Sequence, residues 1–596
     1  MRKVIIDFET YYCKKEGIST AEVGNVNYTK QTEAYCLAIK DGDQKTYVGT
    51  IDNNGIPDRK LDTLCSKLSA DKDVEIWAAN SNFDRAWWSK YWGPTVNDWK
   101  CALDQGAVNQ YPRFLAGLSQ AVLGIAPDKT IRAAMDGVDF WDMDKDAQQN
   151  VLDYCATDVD VTAGVIEKMP EMSAHEDKVA AYTRMSNRRG VRVDTTELDR
   201  GIEFMHQANF EYKQLIPWID DAAPLSPQAL ARFCQSHKMP FPKSVDKRDA
   251  ECTALMAKYP LLNQTINAMR VVRGTNAKGK KLQDVRKRLI DGDIMQTSLL
   301  YCGAPHTRRW SCVDINMQNL DAAPMELETN DSFWVREIFV PRPGKKYLII
   351  DLAQIEPRCL AWLTGNDDML KLVREGYSVY EAYARASGAW KGTEKLADAN
   401  KPLYKKIKAQ VLGLGYGMGV ERFCAETPGV EIDEAGAMVK QFRSLNPGIT
   451  TMWKDFDKMI RAAVFDKSFK VEIEMPSGEM LSHHSVKQER KGFSSYTIQG
   501  MRSQRHKQSG LWGGVLTENV TQRMARDVLS HSILRLEESG FPVLWTAHDE
   551  AIIEVDADAG QDTMDEAVEI FTTAPDWCPD LPLGAEGFYE TTYTKI

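Results

Sequence analysis

Hydrophobic and polar positions in the first third of the chain alternate between strand and helix periods. Short apolar runs at residues 4–8 and 75–79 predict strands, and residues 144–165 have the apolar repeat of a helix. Such a mixture is typical of an α/β unit built on a central sheet. We therefore predict one α/β unit over residues 1–180.

The remainder of the chain is mostly helical around a few strands. Residues of about 195–300 and 365–465 have helical periodicity. Apolar runs predict three further strands, at residues 346–351, 541–546 and 551–555. The last two runs are joined by a short turn that contains Asp549, which predicts a hairpin. No internal repeat or low-complexity linker separates these parts, so we expect them to pack closely.

Composition excludes few classes of function. The 596 residues are 43% hydrophobic and 27% charged, which is ordinary for a globular protein, and no uncharged apolar stretch could cross a bilayer. The chain begins directly with a strand pattern, so we expect no signal peptide and a cytoplasmic location. Twelve cysteines without zinc spacing predict reduced, mostly buried thiols. The net charge of −11 does not exclude nucleic acid, because local basic stripes determine phosphate binding.

Four carboxylates and one phenol in the first unit predict a metal site. Asp7 and Glu9 share one face of a strand, and Asp84 follows the next predicted strand. Tyr154 and Asp158 lie one helical turn apart. Carboxylates that share a site repel one another unless cations neutralise them, so the cluster predicts divalent metal. Two Mg²⁺ ions could activate water and stabilise the leaving oxygen of a phosphodiester.

A second pair of carboxylates lies near the ends of the later strands. Asp351 ends a strand and Asp549 lies in the hairpin turn, with Lys408 on a helix between them in sequence. Alone, Asp351 is more typical of a helix cap and Asp549 of a turn. Together, two metal-binding carboxylates and a cationic helix are what phosphoryl transfer from a nucleotide requires. The spacing of Lys408, Leu412 and Tyr416 predicts that they share one helix face.

Three glycines surround Tyr416, at positions 413, 415 and 417. Each costs a helix about 1 kcal/mol, so their presence needs a reason. Close packing is one explanation, but we favour close approach of a nucleotide.

Three segments, residues 347–358, 408–417 and 547–550, resemble motifs A, B and C of family A DNA polymerases, most closely the phage branch of the DNA polymerase I family. The N-terminal carboxylates resemble those of DEDDy 3′–5′ proofreading exonucleases, in which Asp7, Glu9, Asp84 and Asp158 would bind metal and Tyr154 would orient water. The resemblance implies an α/β and α+β multidomain fold. Its expected parts are an RNase H-like exonuclease domain (1–180) and a right-hand polymerase domain (181–596), with thumb about 195–300, palm about 301–364 and 515–596, and fingers about 365–514.

The resemblance also implies roles in the polymerase site. Asp351 and Asp549 would hold two Mg²⁺ ions, for which Mn²⁺ can substitute, and Lys408 would meet the triphosphate. Glu356, packed with Tyr416, would act as a steric gate against a 2′-hydroxyl. The other expected nucleotide contacts are Gln354, Lys405, Leu412, Tyr416 and His548.

The chain departs from the family pattern at two nucleotide-binding positions. Tyr404 replaces the usual arginine, for which Lys405 or Lys401 could substitute, though as point charges without a bidentate fork. Leu412 replaces the usual aromatic residue, which puts stacking on the nucleotide sugar in doubt.

Several segments resemble DNA contacts of the family. The expected residues are Thr307, Arg309, Asn316, Gln318, Asn319 and Gln522, and Arg308 takes the place of the usual glycine, so we expect an altered turn. Two basic runs have alternative interpretations. The first (Lys278, Lys280, Lys281, Arg286, Lys287, Arg288) is either a thumb face that tracks DNA or a solvated helix face. The second (Lys487, Arg490, Lys491, Arg502, Arg505, Lys507, with Phe493 and Tyr496) is either a groove for single-stranded template or a solvated loop.

These features together predict a template-directed DNA polymerase with proofreading, in phage replication. Its expected partners are primer–template DNA and dNTPs, with a phage helicase–primase or single-strand-binding protein as further candidates and no membrane. We expect no 5′-nuclease domain, because only six residues precede Asp7. Two alternatives are a single-subunit RNA polymerase, against which Glu356 and the exonuclease cluster argue, and a non-catalytic DNA-binding scaffold. Intact Asp351, Asp549 and Lys408 argue against the scaffold.

Overall fold

The protein is described by a computed structural model that covers residues 1–125, 127–128, 130–247, 249–327, 331–490, 492–496 and 507–594. Three residues of the second basic run, Lys491, Arg502 and Arg505, lie outside the described residues.

A five-stranded mixed sheet forms the core of the N-terminal unit. Its strands are Arg2–Thr10, Ala34–Asp41, Tyr47–Thr50, Val74–Ala78 and Asp98–Cys101, and their spatial order is third, second, first, fourth, fifth. The first strand pairs antiparallel to the second and parallel to the fourth. It is therefore central, and alternation directs Asp7 and Glu9 to one face and Phe8 to the other.

Helices cover both faces of this sheet. They are Thr20–Gln31, Arg59–Ala70, Ser81–Trp92, Ala102–Val108, Leu115–Val122, Thr130–Ala134 and Lys145–Lys168. The last begins after the Asp144 cap, as the sequence predicts, and its Cys155 and Val159 pack against Ile5 of the central strand. Val4, Ile6 and Phe8 pack on the opposite face. The predicted α/β unit is thus formed, and Asp7 and Glu9 share a face with the helix that carries Asp158.

The middle of the chain is helical, as predicted, up to residue 288. Its helices are Ala174–Arg189, Thr195–Gln214, Pro227–Ser236, Ala250–Lys258 and Pro260–Arg288. Short strands follow this helical part. A small sheet combines Leu289–Ile290, Ile294–Met295 and Phe339–Val340 with the earlier strand Val191–Val193, which lies between the first two of these helices along the chain.

The C-terminal part is built on a four-stranded antiparallel sheet. Its strands, in spatial order, are Val543–Ala547, Glu550–Asp556, Lys345–Leu352 and Ala585–Glu590. Apolar residues of the long helix Gly513–Glu538, including Val520, Met524 and Val528, pack into the same core as this sheet. The helix Gln561–Phe571 connects the second strand to the fourth. The predicted strands and hairpin are confirmed.

Along the chain, a helical lobe lies between the strand Lys345–Leu352 and the long helix Gly513–Glu538. Its helices are Ile355–Leu363, Asp367–Arg374, Val379–Ala386, Leu396–Ala399, Lys401–Ala409, Val420–Glu426, Ile432–Leu445 and Pro447–Phe465. The interpretation of residues 485–514 as a loop is wrong for most of the described part of this range, which forms strands. Val471–Glu474, Met480–Gln488, Phe493–Tyr496 and Lys507–Leu511 form a second antiparallel sheet. The strands carry alternating apolar residues such as Val471, Leu481 and Leu511 that pack into the main core.

The described structure agrees with the predicted α/β and α+β multidomain class. All twelve cysteines are free thiols, and ten are buried, as expected for small apolar residues. Within the described ranges, no helix combines the length and apolarity that crossing a bilayer demands.

Candidate active sites

The first candidate site lies where two neighbouring strands bring Asp351 and Asp549 together. Asp351 pairs with Glu550 across the sheet, and the Leu352 N–H donates to the Asp549 carbonyl oxygen at 3.2 Å. Asp549 occupies the two-residue turn after His548, whose φ of 58° is left-handed. Burial raises the pKa of the Asp549 carboxyl, with Glu550 adding to the effect. A cation at this position would restore the charged form.

Gln318 holds the hairpin that carries Asp549. Its side-chain amide donates to the Thr546 carbonyl oxygen at 2.6 Å, and its side-chain oxygen accepts from the His548 N–H at 2.7 Å. Gln318 is buried, so its polar atoms serve the hairpin in this conformation. Gln318 therefore supports the turn that carries Asp549, while its contact with DNA stays a prediction. The His548 side chain is exposed above it.

Glu356 faces the site from the first turn of the helix Ile355–Leu363. The Arg309 guanidinium bonds one carboxylate oxygen of Glu356, and the Tyr416 hydroxyl donates to the other at 3.3 Å. Burial and the nearby Glu356 raise the pKa of Tyr416 well above its usual range. Two side chains thus hold the Glu356 carboxylate in place.

Gln354 has a structural task beside Asp351. It begins the helix Ile355–Leu363 in the left-handed conformation, with φ of 54°. Its side-chain oxygen accepts from the Val379 N–H at 2.7 Å. Gln354 therefore ties the strand end that carries Asp351 to the first turn of the helix Val379–Ala386.

The prediction that Lys408, Leu412 and Tyr416 share one helix face is wrong. The α-helix ends at Ala409, a π-helical turn spans Gln410–Leu414, and Tyr416 lies in the turn that follows. A π-turn adds a residue and rotates the next side chains by about 100°. Leu412 is consequently exposed, while Tyr416 turns inward to Glu356.

The lysines of this segment differ in their surroundings. Lys408 and Lys405 are exposed, and neither forms an ion pair within the described ranges. Lys406 between them pairs with Glu434 at 2.9 Å. Both unpaired lysines are thus available to an anionic ligand.

Protein packing accounts for the glycines around Tyr416. A Cβ on Gly417 would lie 2.1 Å from the Trp512 ring, and one on Gly415 would lie 2.9 Å from Leu360. Gly417 also has a left-handed φ of 81°. The preferred explanation by nucleotide approach is wrong for these two positions, since neighbouring side chains already occupy the space.

The predicted DNA-contact segment is only partly accessible. Arg308 adopts a left-handed φ of 53°, a conformation that glycine reaches more easily than an arginine does. Arg308 is buried against Glu479 at 3.4 Å, and Thr307 is buried beside it. Arg309 keeps about a third of its side chain exposed while it holds Glu356.

The remaining predicted DNA contacts lie around the same site. Asn316 accepts from the Gln318 N–H at 3.1 Å and caps the short helix Met317–Asn319, whose last residue is exposed. Gln522 is half-buried on the long helix and donates to Glu518 at 3.4 Å.

Ion pairs occupy most of the first basic run. Four of its six side chains have carboxylate partners: Lys278 with Asp321, Arg286 with Asp199, Lys287 with Glu22, and Arg288 with Asp314. Lys280 and Lys281 remain as candidates for DNA contact, and burial lowers the pKa of Lys281. This favours the interpretation of the run as a mainly structural helix face.

The second candidate site is the carboxylate cluster of the N-terminal unit. Ligand atoms of Asp7, Glu9 and Asp158 lie within 4.8 Å of one another. Asp84 accepts from the Phe8 N–H at 3.3 Å. Burial raises the pKa of Asp84 to about 8. Burial, then Asp84, Glu9 and Asp158, raises the pKa of Asp7 well above its usual range. Oxygen donors that resist ionisation together fit a divalent cation.

Two further side chains face this cluster. Burial, then Asp158 and Glu9, raises the pKa of Tyr154, so its phenol stays protonated. Burial opposes the charge of Arg132, but Glu9, Tyr154 and Asp7 nevertheless raise its pKa. Arg132 lies outside every motif of the sequence and is brought near the carboxylates only by the fold, so no sequence pattern indicated it.

The chain is similar to known DNA polymerases. The model of the family described as DNA polymerase family A matches residues 243–593. A DNA polymerase of Bacillus phage SP02 is 24% identical over the full length of both chains. DNA polymerase I of Lactococcus lactis subsp. cremoris is 25% identical over 44% of this chain and 28% of its own. The POL domain of Pol1 from M. smegmatis, solved with DNA primer-template and dNTP, has a similar fold, with a TM-score of 0.68 at 16% identity over 99% of this chain and 95% of that one.

Proposed function

The chain belongs to DNA polymerase family A, and on that premise we propose that Asp351 and Asp549 are the catalytic carboxylates of its primer extension. The observation that carries this proposal is their meeting at adjacent strand ends, with Glu356, Tyr416 and Lys408 around them. The substrates would be primer–template DNA and dNTPs, which accompany the mycobacterial polymerase domain of similar fold.

Each residue of this site would have a separate task. Asp351 and Asp549 offer the hard oxygen ligands that suit Mg²⁺, which would stabilise charge on the transferred phosphoryl group. Glu356, held by Arg309 and Tyr416, would fill the space that a ribose 2′-hydroxyl needs. Lys408, exposed and without a carboxylate partner in the described structure, would attract the triphosphate.

Primer extension by single variants tests this assignment. We expect Asp351→Ala and Asp549→Ala to lower the extension rate by about 10³-fold or more, because each removes a metal ligand. DNA affinity should stay unchanged, since neither residue anchors DNA. Asp556→Ala is the matched control, because Asp556 ends the hairpin strand and pairs with Lys345 at the surface. Extension within tenfold of the parent enzyme for either catalytic variant would reject the assignment.

We also propose that the N-terminal unit is a proofreading 3′–5′ exonuclease. Its support is the cluster of Asp7, Glu9 and Asp158, with Asp84 bonded to the same strand and a protonated Tyr154 beside it. The carboxylates would hold divalent metal, which would supply Lewis-acid stabilisation to phosphodiester cleavage. The phenol of Tyr154 would orient the attacking water.

Degradation of a single-stranded oligonucleotide tests the exonuclease proposal. The double variant Asp7→Ala with Glu9→Ala should lose degradation and retain polymerisation, because the two clusters lie on separate sheets. Asp160→Ala is the control, since Asp160 lies two residues beyond Asp158 but pairs with Lys40 at 2.9 Å. Loss of both activities in a folded double variant would instead indicate one shared site.

A role in phage genome replication is the finer part of the proposal. Its support is the full-length similarity to the polymerase of a Bacillus phage. A phage helicase–primase or single-strand-binding protein would then be a partner, in the cytoplasm of the host. Infection with a phage whose own copy of this gene is disrupted would test that role. Phage DNA replication should then be lost, and normal replication would reject the role.

A further inference from the structure

Lys408 is held by an aromatic ring and not by a carboxylate. Its ammonium nitrogen lies 5.8 Å from the centroid of the Tyr380 ring. Within the described ranges, Lys408 forms no ion pair, and its side chain is exposed. An aromatic face attracts an ammonium group through its quadrupole but leaves the charge intact. A carboxylate would compete with phosphate for the same charge.

Tyr380 is itself fixed from two sides. The Tyr404 ring meets it edge to face, with 5.6 Å between centroids and 84° between planes. The preceding residue, Val379, donates its N–H to Gln354 at the strand end that carries Asp351. Tyr380 therefore keeps its position relative to the catalytic strand, and Tyr404 limits the rotation of its ring.

The Tyr380 phenol also lies near Asp549 and Glu356. Burial, then the nearby Tyr404, Asp549 and Glu356, raises the pKa of its phenol to about 12. The Tyr380 side chain thus approaches Lys408 with its ring and is near enough to Asp549 to be affected by its charge. A triphosphate that met both Lys408 and the turn that carries Asp549 would have to lie beside this ring.

We propose that Tyr380 and Tyr404 are positioning residues that hold Lys408 toward the triphosphate of the incoming nucleotide. The inference rests on the proposed polymerase function and explains how the chain works without the family's arginine at Tyr404. Tyr404 supplies no charge, but its edge-to-face contact fixes the Tyr380 ring, which in turn contacts Lys408. A flexible lysine loses considerable side-chain entropy when it binds an anion, and the ring restrains it beforehand.

Equilibrium binding of the correct dNTP to enzyme on a dideoxy-terminated primer–template tests this role without requiring catalysis. Tyr380→Leu should weaken dNTP affinity about five- to tenfold, because the cation loses its aromatic face. Tyr380→Phe keeps the ring and should remain within threefold of the parent enzyme. Affinity for the primer–template should not change in either variant.

Tyr383→Leu is the matched control. Tyr383 lies one turn further along the helix Val379–Ala386 and packs on Phe442, so its loss disturbs the same lobe without touching Lys408. Tyr404→Leu provides a second variant should Tyr380→Leu fail to fold. It should weaken dNTP affinity in the same direction by a smaller factor.

A double-mutant cycle with Lys408→Met decides whether Tyr380 acts through the lysine. In the Lys408→Met background, Tyr380→Leu should change dNTP affinity by less than about twofold, because the interaction is already lost. An undiminished effect in that background would overturn the inference, as would equal losses in Tyr380→Phe or Tyr383→Leu. A parent enzyme that neither extends primers nor binds dNTP would reject the polymerase assignment instead.

Discussion

At the residue scale, the Glu356 carboxylate combines a packed position with two hydrogen-bonding partners. Arg309 and Tyr416 hold its two oxygens on opposite sides. A side chain held in this way excludes a ligand atom by volume, whereas a free glutamate could rotate away. The steric-gate hypothesis thus has a physical basis in this chain.

Replacement of Glu356 should therefore alter sugar selectivity. We expect Glu356→Ala to lower the ratio of kcat/KM for dCTP over CTP by about tenfold or more, because the cavity admits the 2′-hydroxyl. Glu356→Gln keeps the volume and serves as the control, with most of the discrimination retained. An unchanged ratio in Glu356→Ala would show that another group excludes ribonucleotides.

Lys405 remains the candidate replacement for the missing arginine at Tyr404. It is exposed and lies three residues before Lys408, on nearly the same side of the helix. If it meets phosphate, Lys405→Ala should lower kcat/KM for dNTPs roughly ten- to a hundredfold, the value of a charge-assisted contact. Lys406→Ala is the control, because Lys406 already pairs with Glu434. Unchanged steady-state kinetics for Lys405→Ala would remove this residue from the site.

At the scale of elements, a buried charge network joins the helix Ala174–Arg189 to the long helix Gly513–Glu538. Glu176 accepts from Arg523 at 3.0 Å, from Arg526 at 2.9 Å and from the Tyr301 hydroxyl at 2.6 Å. Burial alone would raise the pKa of Glu176, but Arg526 and Arg523 hold it well below its usual range. The network connects the chain after the N-terminal unit to the long helix that packs against the C-terminal sheet.

Breaking this network should strongly destabilise the protein. We expect Glu176→Gln to lower the free energy of unfolding by about 3–5 kcal/mol, because the two buried guanidinium groups then share Asp527 alone as their buried counter-charge. Glu538→Gln is the control, because the pair of Glu538 with Lys178 joins the same two helices at the exposed surface. Its loss should lower the free energy of unfolding by less than about 1 kcal/mol. Denaturant unfolding measures both. Equal and small changes in unfolding free energy for the two variants would mean that solvent or another acid neutralises the charge of the two arginines.

At the scale of the whole molecule, a buried histidine makes stability depend on pH. His483 bonds Ser495 at 2.8 Å and Asn519 at 3.3 Å, and its ring stacks on His306 at 5.1 Å. Burial, then His306 and His484, lowers the pKa of His483 to about 3. The unfolded chain binds this proton below about pH 6.5, while the folded chain resists it. The stabilising contribution is complete above pH 6.5 and is lost as the pH falls toward 3.

The variant His483→Gln isolates this contribution. Above pH 7, the difference in unfolding free energy between parent and variant should be constant. Below pH 6.5 the parent should lose stability faster, by up to about 1.4 kcal/mol per pH unit, since one extra proton binds on unfolding. Chemical unfolding at several pH values measures the difference, and other titrating groups cancel. Parallel curves between pH 5 and 7 would show that His483 does not titrate on unfolding.

Local pattern in the sequence was sufficient for much of the fold. The strands that carry Asp7 and Asp351, and those that flank the Asp549 turn, were predictable, because apolar alternation reports which residues face a core. The helix that carries Asp158 was predictable for the same reason, together with its Asp144 cap. Motif spacing then indicated two groups of carboxylates, one in the N-terminal unit and one formed by Asp351 and Asp549, because each group follows a recognisable order of strands and helices along the chain.

Tertiary structure alone decided the features that depend on partners distant in sequence. The π-turn at Gln410–Leu414 separates Leu412 from Tyr416, because backbone hydrogen bonding there responds to packing and not to residue spacing. Gln318 supports the hairpin that carries Asp549, and Tyr380 contacts Lys408, only because the fold brings these residues together across long sequence separations. A one-dimensional pattern records the period of a segment, whereas these contacts arise when separate segments compete for the same buried space.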